Sequence, residues 1–324
     1  MAKPKLALYW AASCGGCDVA VLDTNEKILD IANLVDIVFW PIAIDFKYHH
    51  VEAMPDKSID LCLFNGAIRN SEQENIAKML RAKSKVLVAF GACAVLGGIP
   101  GLANFTNRAE IWQQVYVEAP SMDGNKTLPQ TVTRVSEGEL DLPEMYDTVS
   151  TLAQVVDVEY FLPGCPPPVD LILKLVDLYA TGKLPPVGAV VASDKSLCDE
   201  CDRIKEEKKI IKIHRPHEII PDSKKCLLEQ GVICCGPATR GGCGVRCIKA
   251  NMPCRGCFGP PPGVIDQGAK MLSALASIYQ GNSDADIKRL VDEVIDPAGT
   301  FYRFGLASSL LKRKRLPVQK EVKK

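Results

Sequence analysis

The chain has 324 residues, 47% of them hydrophobic and 24% charged, a composition typical of a globular protein with room for two domains. Lysine and arginine together number 39, as do aspartate and glutamate, so the charge balance gives no argument for a nucleic-acid partner. No apolar run reaches the roughly 18 residues of a membrane span, and the N-terminus shows no export signal. We therefore expect a cytoplasmic protein without a membrane span.

The unusual feature of the composition is its fourteen cysteines. They fall in clusters, which a secreted, disulfide-stabilised protein of this length rarely shows. In a reducing compartment, clustered thiols indicate metal or redox chemistry more often than disulfides.

The N-terminal half alternates apolar runs with helical patterns. The runs at 5–10, 35–43, 59–65, 85–90 and 158–162 predict strands. Helices are predicted at 19–31, at 72–82 and over part of 148–155. Strands that are buried on both faces and alternate with helices predict an α/β fold with a flavodoxin-like, doubly wound parallel sheet.

Four cysteines follow the ends of three predicted strands. Cys14 and Cys17 come after the first strand, Cys93 after the fourth and Cys165 after the fifth. Because ligands gather beyond the carboxyl ends of parallel strands, we expect the four thiols to converge on one edge of the sheet. Four thiolates make a complete ligand set for an iron–sulfur cluster.

Other interpretations of this edge fit less well. A thioredoxin-like dithiol at Cys14 and Cys17 would leave Cys93 and Cys165 without a role. A flavin phosphate needs a hydroxyl-rich loop, and AASCGG offers one serine. The run GACAVLGGIPG lacks the G-x-G-x-x-G order of a nicotinamide site. We therefore expect neither flavin nor nicotinamide in this chain.

Asp18 stands beside Cys17 at the start of a predicted helix. A carboxylate at this place stabilises a helix N-terminus, which is the interpretation we prefer. A proton relay near a partner's active site is the alternative.

Residues 233–263 are also rich in cysteine. They contain many glycines and prolines and no apolar periodicity that would predict an ordinary helix or strand. Something other than a hydrophobic core must hold such a segment, and thiolates with flexible glycines suit an inorganic centre. One group consists of Cys243, Cys247, Cys254 and Cys257. Its spacing is not that of paired zinc knuckles, which favours an iron–sulfur cluster over zinc.

A further group contains Cys198, Cys201 and Cys226, completed by Cys234 or its neighbour Cys235. Adjacent residues of an extended segment point in opposite directions, so only one of the last two is expected to reach the site. Spacing leaves that choice open. Cys62 belongs to none of these groups. It lies in the middle of a predicted strand, so we expect it to be a buried structural thiol.

The remaining sequence predicts helices at 264–279 and 284–294 and, from 312 to 324, a basic solvated tail. We expect a flavodoxin-like domain at 1–185. Residues 186–324 are expected to form a loop-rich iron–sulfur region with C-terminal helices.

These motifs resemble, over essentially the whole chain, the small electron-transferring subunits of [NiFe] hydrogenases. The similarity is greatest to the cytoplasmic viologen-reducing, heterodisulfide-reductase-linked branch, which is related to the deazaflavin-reducing enzymes. SCGGC, GACA and PGCPP, each after a predicted strand, match the family's proximal-cluster motif. CGPATRGGCG and PCRGCFGPPPG are similar to its medial and distal region.

The resemblance implies three [4Fe-4S] clusters. The ligands would be Cys14, Cys17, Cys93 and Cys165 in a proximal group, Cys243, Cys247, Cys254 and Cys257 in a medial group, and Cys198, Cys201, Cys226 and Cys234 in a distal group. The partners would be a nickel-carrying large subunit, an iron–sulfur adapter subunit, and heterodisulfide reductase or another flavoprotein. This chain would hold no nickel and no catalytic residue, and would relay electrons from H2 oxidation.

Two other functions remain open from the sequence. One is an electron-transfer subunit of a complex I-like or formate-linked redox assembly, which would share the proximal motif. The other is a zinc-stabilised interaction protein.

Overall fold

The computed structural model describes residues 3–122, 124, 127–206, 209–281 and 283–311. The predicted tail at 312–324 lies outside these described residues. Nine strands occur in the described part: β1 (Lys5–Trp10), β2 (Asp36–Phe39), β3 (Ile59–Asn65), β4 (Ile68–Asn70), β5 (Ser84–Phe90), β6 (Val132–Val135), β7 (Gly138–Asp141), β8 (Met145–Ser150) and β9 (Tyr160–Leu162).

Twelve α-helices occur in the same residues: α1 (Gly16–Leu22), α2 (Lys27–Leu34), α3 (Tyr48–Glu52), α4 (Ser71–Lys83), α5 (Ala92–Leu96), α6 (Arg108–Gln113), α7 (Val169–Ala180), α8 (Leu197–Glu200), α9 (Arg246–Lys249), α10 (Gln267–Ala276), α11 (Asp284–Asp292) and α12 (Pro297–Phe301). No helix of the described residues is long and apolar enough to cross a bilayer.

One parallel sheet contains five strands in the order β2-β1-β3-β5-β9. Counted along the sheet's own strands this order is 2-1-3-4-5, the flavodoxin-like arrangement. The central strand β3 reads IDLCLFN, and nearly all of its residues are buried, as expected for a strand covered on both faces. The predicted fold class is therefore confirmed.

Helices cover both faces of the sheet. On one face, α7 buries Leu171, Ile172, Leu175 and Val176 against a core that also includes residues of α1. Burial of each such side chain contributes about 1.5–3 kcal/mol, which holds in place a helix too short to be stable alone. The opposite core receives Ile76, Ala77 and Leu80 of α4.

Two helical predictions in the N-terminal half are confirmed only in part. In the segment 148–155 the helical part is a short 3-10 helix at Leu152–Gln154, because residues 148–150 end β8, which pairs antiparallel with β4. The helix predicted at 19–31 is two helices, α1 and α2. They are separated at Asn25, whose φ of 54° is incompatible with a continuing right-handed helix.

The C-terminal region has a third core built partly from cysteines, among them Cys234, Cys235 and Cys254. It is attached to the sheet, since Phe258 is buried in the α1 and α7 core. Cys243 and Cys257 pack against the same core. The division into 1–185 and 186–324 stays a prediction.

Candidate metal centres

The proximal group lies beyond the carboxyl ends of β1, β5 and β9. Burial and the negative charges of Cys93, Cys165, Asp18 and Cys14 raise the pKa of Cys17. The pKa of Cys93 is raised to about 12 by burial and by Cys165 and Cys14. The structure therefore brings all four predicted thiols within electrostatic range of one another. Cys17 and Cys93 are buried, whereas Cys14 and Cys165 are exposed.

Two glycines allow the backbone to approach these sulfurs. Gly91, with φ of 87°, lies so close to Cys17 that an added Cβ would overlap its Sγ. Gly98, with φ of 60°, stands in the same relation to the Sγ of Cys93. Both positions need glycine for the contact and for the backbone conformation.

The side chain of Asp18 is 1% exposed and points away from solvent toward the sheet edge. Its Oδ1 accepts a hydrogen bond from Nε1 of Trp40 at 2.9 Å, and its Oδ2 accepts one from Nδ2 of Asn65 at 2.6 Å. Trp40 follows β2 and Asn65 ends β3, so the carboxylate joins the start of α1 to two strand ends. Sequence reasoning missed both partners.

The distal group brings together Cys198, Cys201, Cys226 and Cys234. Burial, the other three thiols and Lys205 act on Cys198, with the net effect of raising its pKa to about 12. A Cβ added at Gly236 would lie 3.1 Å from Sγ of Cys198 and 3.7 Å from Sγ of Cys234, so both sulfurs face that glycine. Nζ of Lys205 donates to the carbonyl oxygen of Cys198 at 2.7 Å and holds the loop.

Cys234 and Cys235 point in different directions. The Sγ of Cys235 lies 3.7 Å from the carbonyl oxygen of Thr300, with Arg255 and Arg303 in its electrostatic surroundings. Charges on Cys226 and Cys201 instead act on Cys234. The structure thus places Cys234 beside the other distal thiols.

The medial group is only partly assembled. Burial and the charge of Cys165 raise the pKa of Cys257, and charges on Cys243 and Cys247 raise it further; Cys247 also acts on Cys243. The influences on Cys254 come from burial, from Cys234 and Cys235, and from a hydrogen bond with Thr239. Three predicted thiols therefore gather, and Cys254 lies on the side of the distal group.

Three arginines lie close in sequence to the medial cysteines, and their charged neighbours in the structure differ. Arg240 pairs with Asp194 at 2.7 Å, and Arg246 lies 3.4 Å from Asp170. Arg255 is half-buried and close enough to Cys235, Cys234 and Cys254 to interact with their charges. Of these three arginines, Arg255 is the one whose charged neighbours are Arg303 and cysteine sulfurs rather than a carboxylate.

Within the described ranges, no three His, Cys, Asp or Glu side chains are close enough to hold a single metal ion. The sulfurs are thus within electrostatic range of one another without converging on one point. The donor set nonetheless suits an iron–sulfur cluster, since such clusters are held by cysteine thiolates and stabilised by backbone N–H groups. The glycines packed against Cys17, Cys93 and Cys198 provide that close backbone approach.

Comparison with known proteins first defines the class. The family model described as NADH ubiquinone oxidoreductase, 20 Kd subunit, matches residues 14–179, the half that carries the proximal group. A chain of the [NiFeSe] hydrogenase from Desulfovibrio vulgaris Hildenborough superposes with a TM-score of 0.52 at 16% identity, covering 87% of this chain and 99% of that one. The fold is therefore that of hydrogenase small subunits.

Full-length relatives then define the branch. The iron–sulfur subunit of the F420-non-reducing hydrogenase of Archaeoglobus profundus is 42% identical, over 96% of this chain and 98% of the relative. The corresponding subunit of the F420-non-reducing hydrogenase from Methanothermobacter thermautotrophicus is 35% identical, over 99% of both chains. The chain belongs to this family, the small subunits of F420-non-reducing [NiFe] hydrogenases.

Membership confirms the family predicted from the motifs. It makes the chain the iron–sulfur, electron-transferring subunit of a [NiFe] hydrogenase that works with a large subunit. The 20 Kd family model covers only the part that complex I-like subunits would share, whereas the hydrogenase relatives extend over both cysteine-rich regions.

Proposed function

We propose that the chain carries three [4Fe-4S] clusters and relays electrons from H2 oxidation in the large subunit to an iron–sulfur or flavin partner. The observation that carries the proposal is the grouping of the cysteine sulfurs. Four thiols interact in the proximal group and four in the distal group. Three interact in the medial group, with the fourth at its border.

Backbone hydrogen bonds between the groups support a serial arrangement. The thiol of Cys257 in the medial group is hydrogen-bonded by the backbone N–H of Cys165 in the proximal group. The backbone N–H of Cys254 donates to Sγ of Cys234, in the distal group, at 3.3 Å. The medial group therefore touches both of the others, which supports the order proximal, medial, distal.

The thiols must lose their protons to bind iron. Burial holds the pKa of Cys93, Cys198 and Cys257 at about 12 in the bare protein, so these groups are protonated near neutral pH. A bound cationic centre offsets the negative charge of the thiolates, which burial alone disfavours. The thiols therefore release their protons when the centre binds. When bound, an iron–sulfur cluster supplies a centre that accepts and gives up one electron at a time.

The distal group is the proposed exit for electrons. Its four ligands are all thiols, which favours a low potential because the bound centre carries more negative charge than one with a histidine ligand. Cys198, Cys201 and Cys226 are only partly buried, so a partner can approach them. We place an iron–sulfur adapter subunit here, with heterodisulfide reductase or another flavoprotein as the further acceptor, in the cytoplasm.

The test is to isolate the complex of this chain with its large subunit under anaerobic conditions and to measure iron and acid-labile sulfide. Three four-iron clusters require about twelve iron atoms in this chain. Cys14→Ser and Cys198→Ser are each expected to remove about four of them. Cys62→Ala, which changes a cysteine buried inside β3, is the control and is expected to leave the iron content unchanged. Equal iron contents in all four proteins would contradict the proposal.

A further inference from the structure

Asp18 places a carboxylate inside the protein at the edge of the proximal group. It is 1% exposed and follows Cys17 directly in α1. Its charge is close enough to act on the Cys17 sulfur. A buried carboxylate is unfavourable unless it is paired or hydrogen-bonded. Asp18 must therefore have partners inside the protein.

Those partners are neutral. The indole N–H of Trp40 can only donate a hydrogen bond, and it donates to one carboxylate oxygen at 2.9 Å. The amide of Asn65 donates to the other oxygen at 2.6 Å. Both oxygens of the carboxylate thus act as hydrogen-bond acceptors. None of the ion pairs among the described residues includes Asp18.

The three-residue contact also fixes geometry. It connects the first turn of α1, and with it the loop of Cys14 and Cys17, to the ends of β2 and β3. The loop's position relative to the sheet is therefore set by a charge that lies out of water. A negative charge in such a place repels any further negative charge nearby more strongly than a solvated one does.

We propose that Asp18 is a positioning residue that also acts as a fixed negative charge, keeping the reduction potential of the centre held by the proximal cysteines low. This inference rests on the proposed function. Reduction adds negative charge next to the carboxylate, so removal of the carboxylate charge makes reduction easier. A low potential at this position suits a relay that receives electrons from H2 and passes them on.

The decisive variant is Asp18→Asn, which removes the charge and can keep both contacts. The oxygen of the new amide can accept from Trp40. Its NH2 can donate to Oδ1 of Asn65 after the Asn65 amide turns over, and this oxygen has no hydrogen-bond partner among the described residues. The matched control is Asp23→Asn, which removes the same charge at the end of the same helix, where the side chain is exposed.

The measurement is a redox titration of the intact complex followed by electron paramagnetic resonance. The proximal signal is the one that Cys14→Ser abolishes. For Asp18→Asn we expect this signal to titrate at a more positive potential, by at least a tenfold change in the one-electron equilibrium constant, or about 59 mV. Asp23→Asn is expected to leave it in place, since water screens an exposed charge.

Trp40→Phe separates charge from packing. It keeps the carboxylate and the aromatic ring but removes the indole N–H, so the charge is less compensated and the potential is expected to fall or to stay constant. A positive shift in both Trp40→Phe and Asp18→Asn would indicate loosened packing and overturn the inference. Asp18→Asn with the wild-type potential would overturn it as well. If the wild-type complex and the Cys14→Ser complex gave the same signals, no proximal centre would be detected. That result would contradict the proposed function instead.

Discussion

The proximal and distal groups reach similar thiol arrangements by different means. The proximal cysteines follow strands of a five-stranded sheet whose two cores consist mainly of aliphatic and aromatic residues, although Cys17 belongs to one of them. The distal cysteines lie among short helices and loops, and Cys234 is itself a core residue there. A sheet can place ligands before any metal is bound, whereas a loop region that uses its ligands as its core depends on the bound centre.

The largest effect should come from removal of iron. Without a bound centre, the region after residue 186 is expected to lose protection from hydrogen exchange, because metal binding in such regions is also folding energy. The sheet strands should keep most of their protection. Hydrogen exchange measured by mass spectrometry on the loaded and iron-depleted chain tests this difference. Equal loss of protection in both regions would remove the contrast between them.

The adjacent cysteines of the distal region give the next effect. Cys234→Ala is expected to remove about four iron atoms, since one of the four distal ligands is lost. Cys235→Ala changes a thiol directed at Thr300 and should retain the full iron content. Iron analysis and electron paramagnetic resonance of the two variants show which of the two cysteines is the distal ligand. The opposite result would exchange their roles.

The sheet edge can be probed by Gly91→Ala. The new methyl group would overlap Sγ of Cys17 and the backbone would be strained at φ of 87°, for a cost of about 1–3 kcal/mol. We expect a lower midpoint of thermal unfolding and a smaller proximal signal. Gly182→Ala is the control, since it also has a positive φ, 66°, but faces open space. If both variants lost the proximal signal equally, the contact with Cys17 would not be the reason.

The smallest effect concerns pH. Burial raises the pKa of Cys62 to about 12, above the value of about 8.5 for a free thiol. The unfolded chain loses this proton first, so the thiol's contribution to stability is complete below about pH 8.5 and declines toward pH 12. Between pH 8.5 and 9.5 it should lower the free energy of unfolding by about 1 kcal/mol.

Denaturant unfolding at these two pH values, compared with Cys62→Ala, measures this contribution. The variant starts less stable because it leaves a small cavity, but its stability should fall less steeply with pH. Parallel curves for the two proteins would show that Cys62 does not titrate in this range.

The sequence predicted which thiols of the proximal group lie near one another because each follows a local signal. Cys93 and Cys165 follow apolar strands, and parallel strands present their carboxyl ends at one edge. The contact of Asp18 with Trp40 and Asn65 has no such signal, since the three residues are brought together only by the strand order. Local propensity also failed at 148–150, where the pairing of β8 with β4 decides the conformation.

The contact between Gly91 and the sulfur of Cys17 couples two positions that are far apart in the sequence. A side chain at the first position is tolerable only when the second no longer needs its thiol there. In the course of evolution the two residues should therefore be kept or lost as a pair. A lineage that dispensed with this cysteine would be free to replace the glycine.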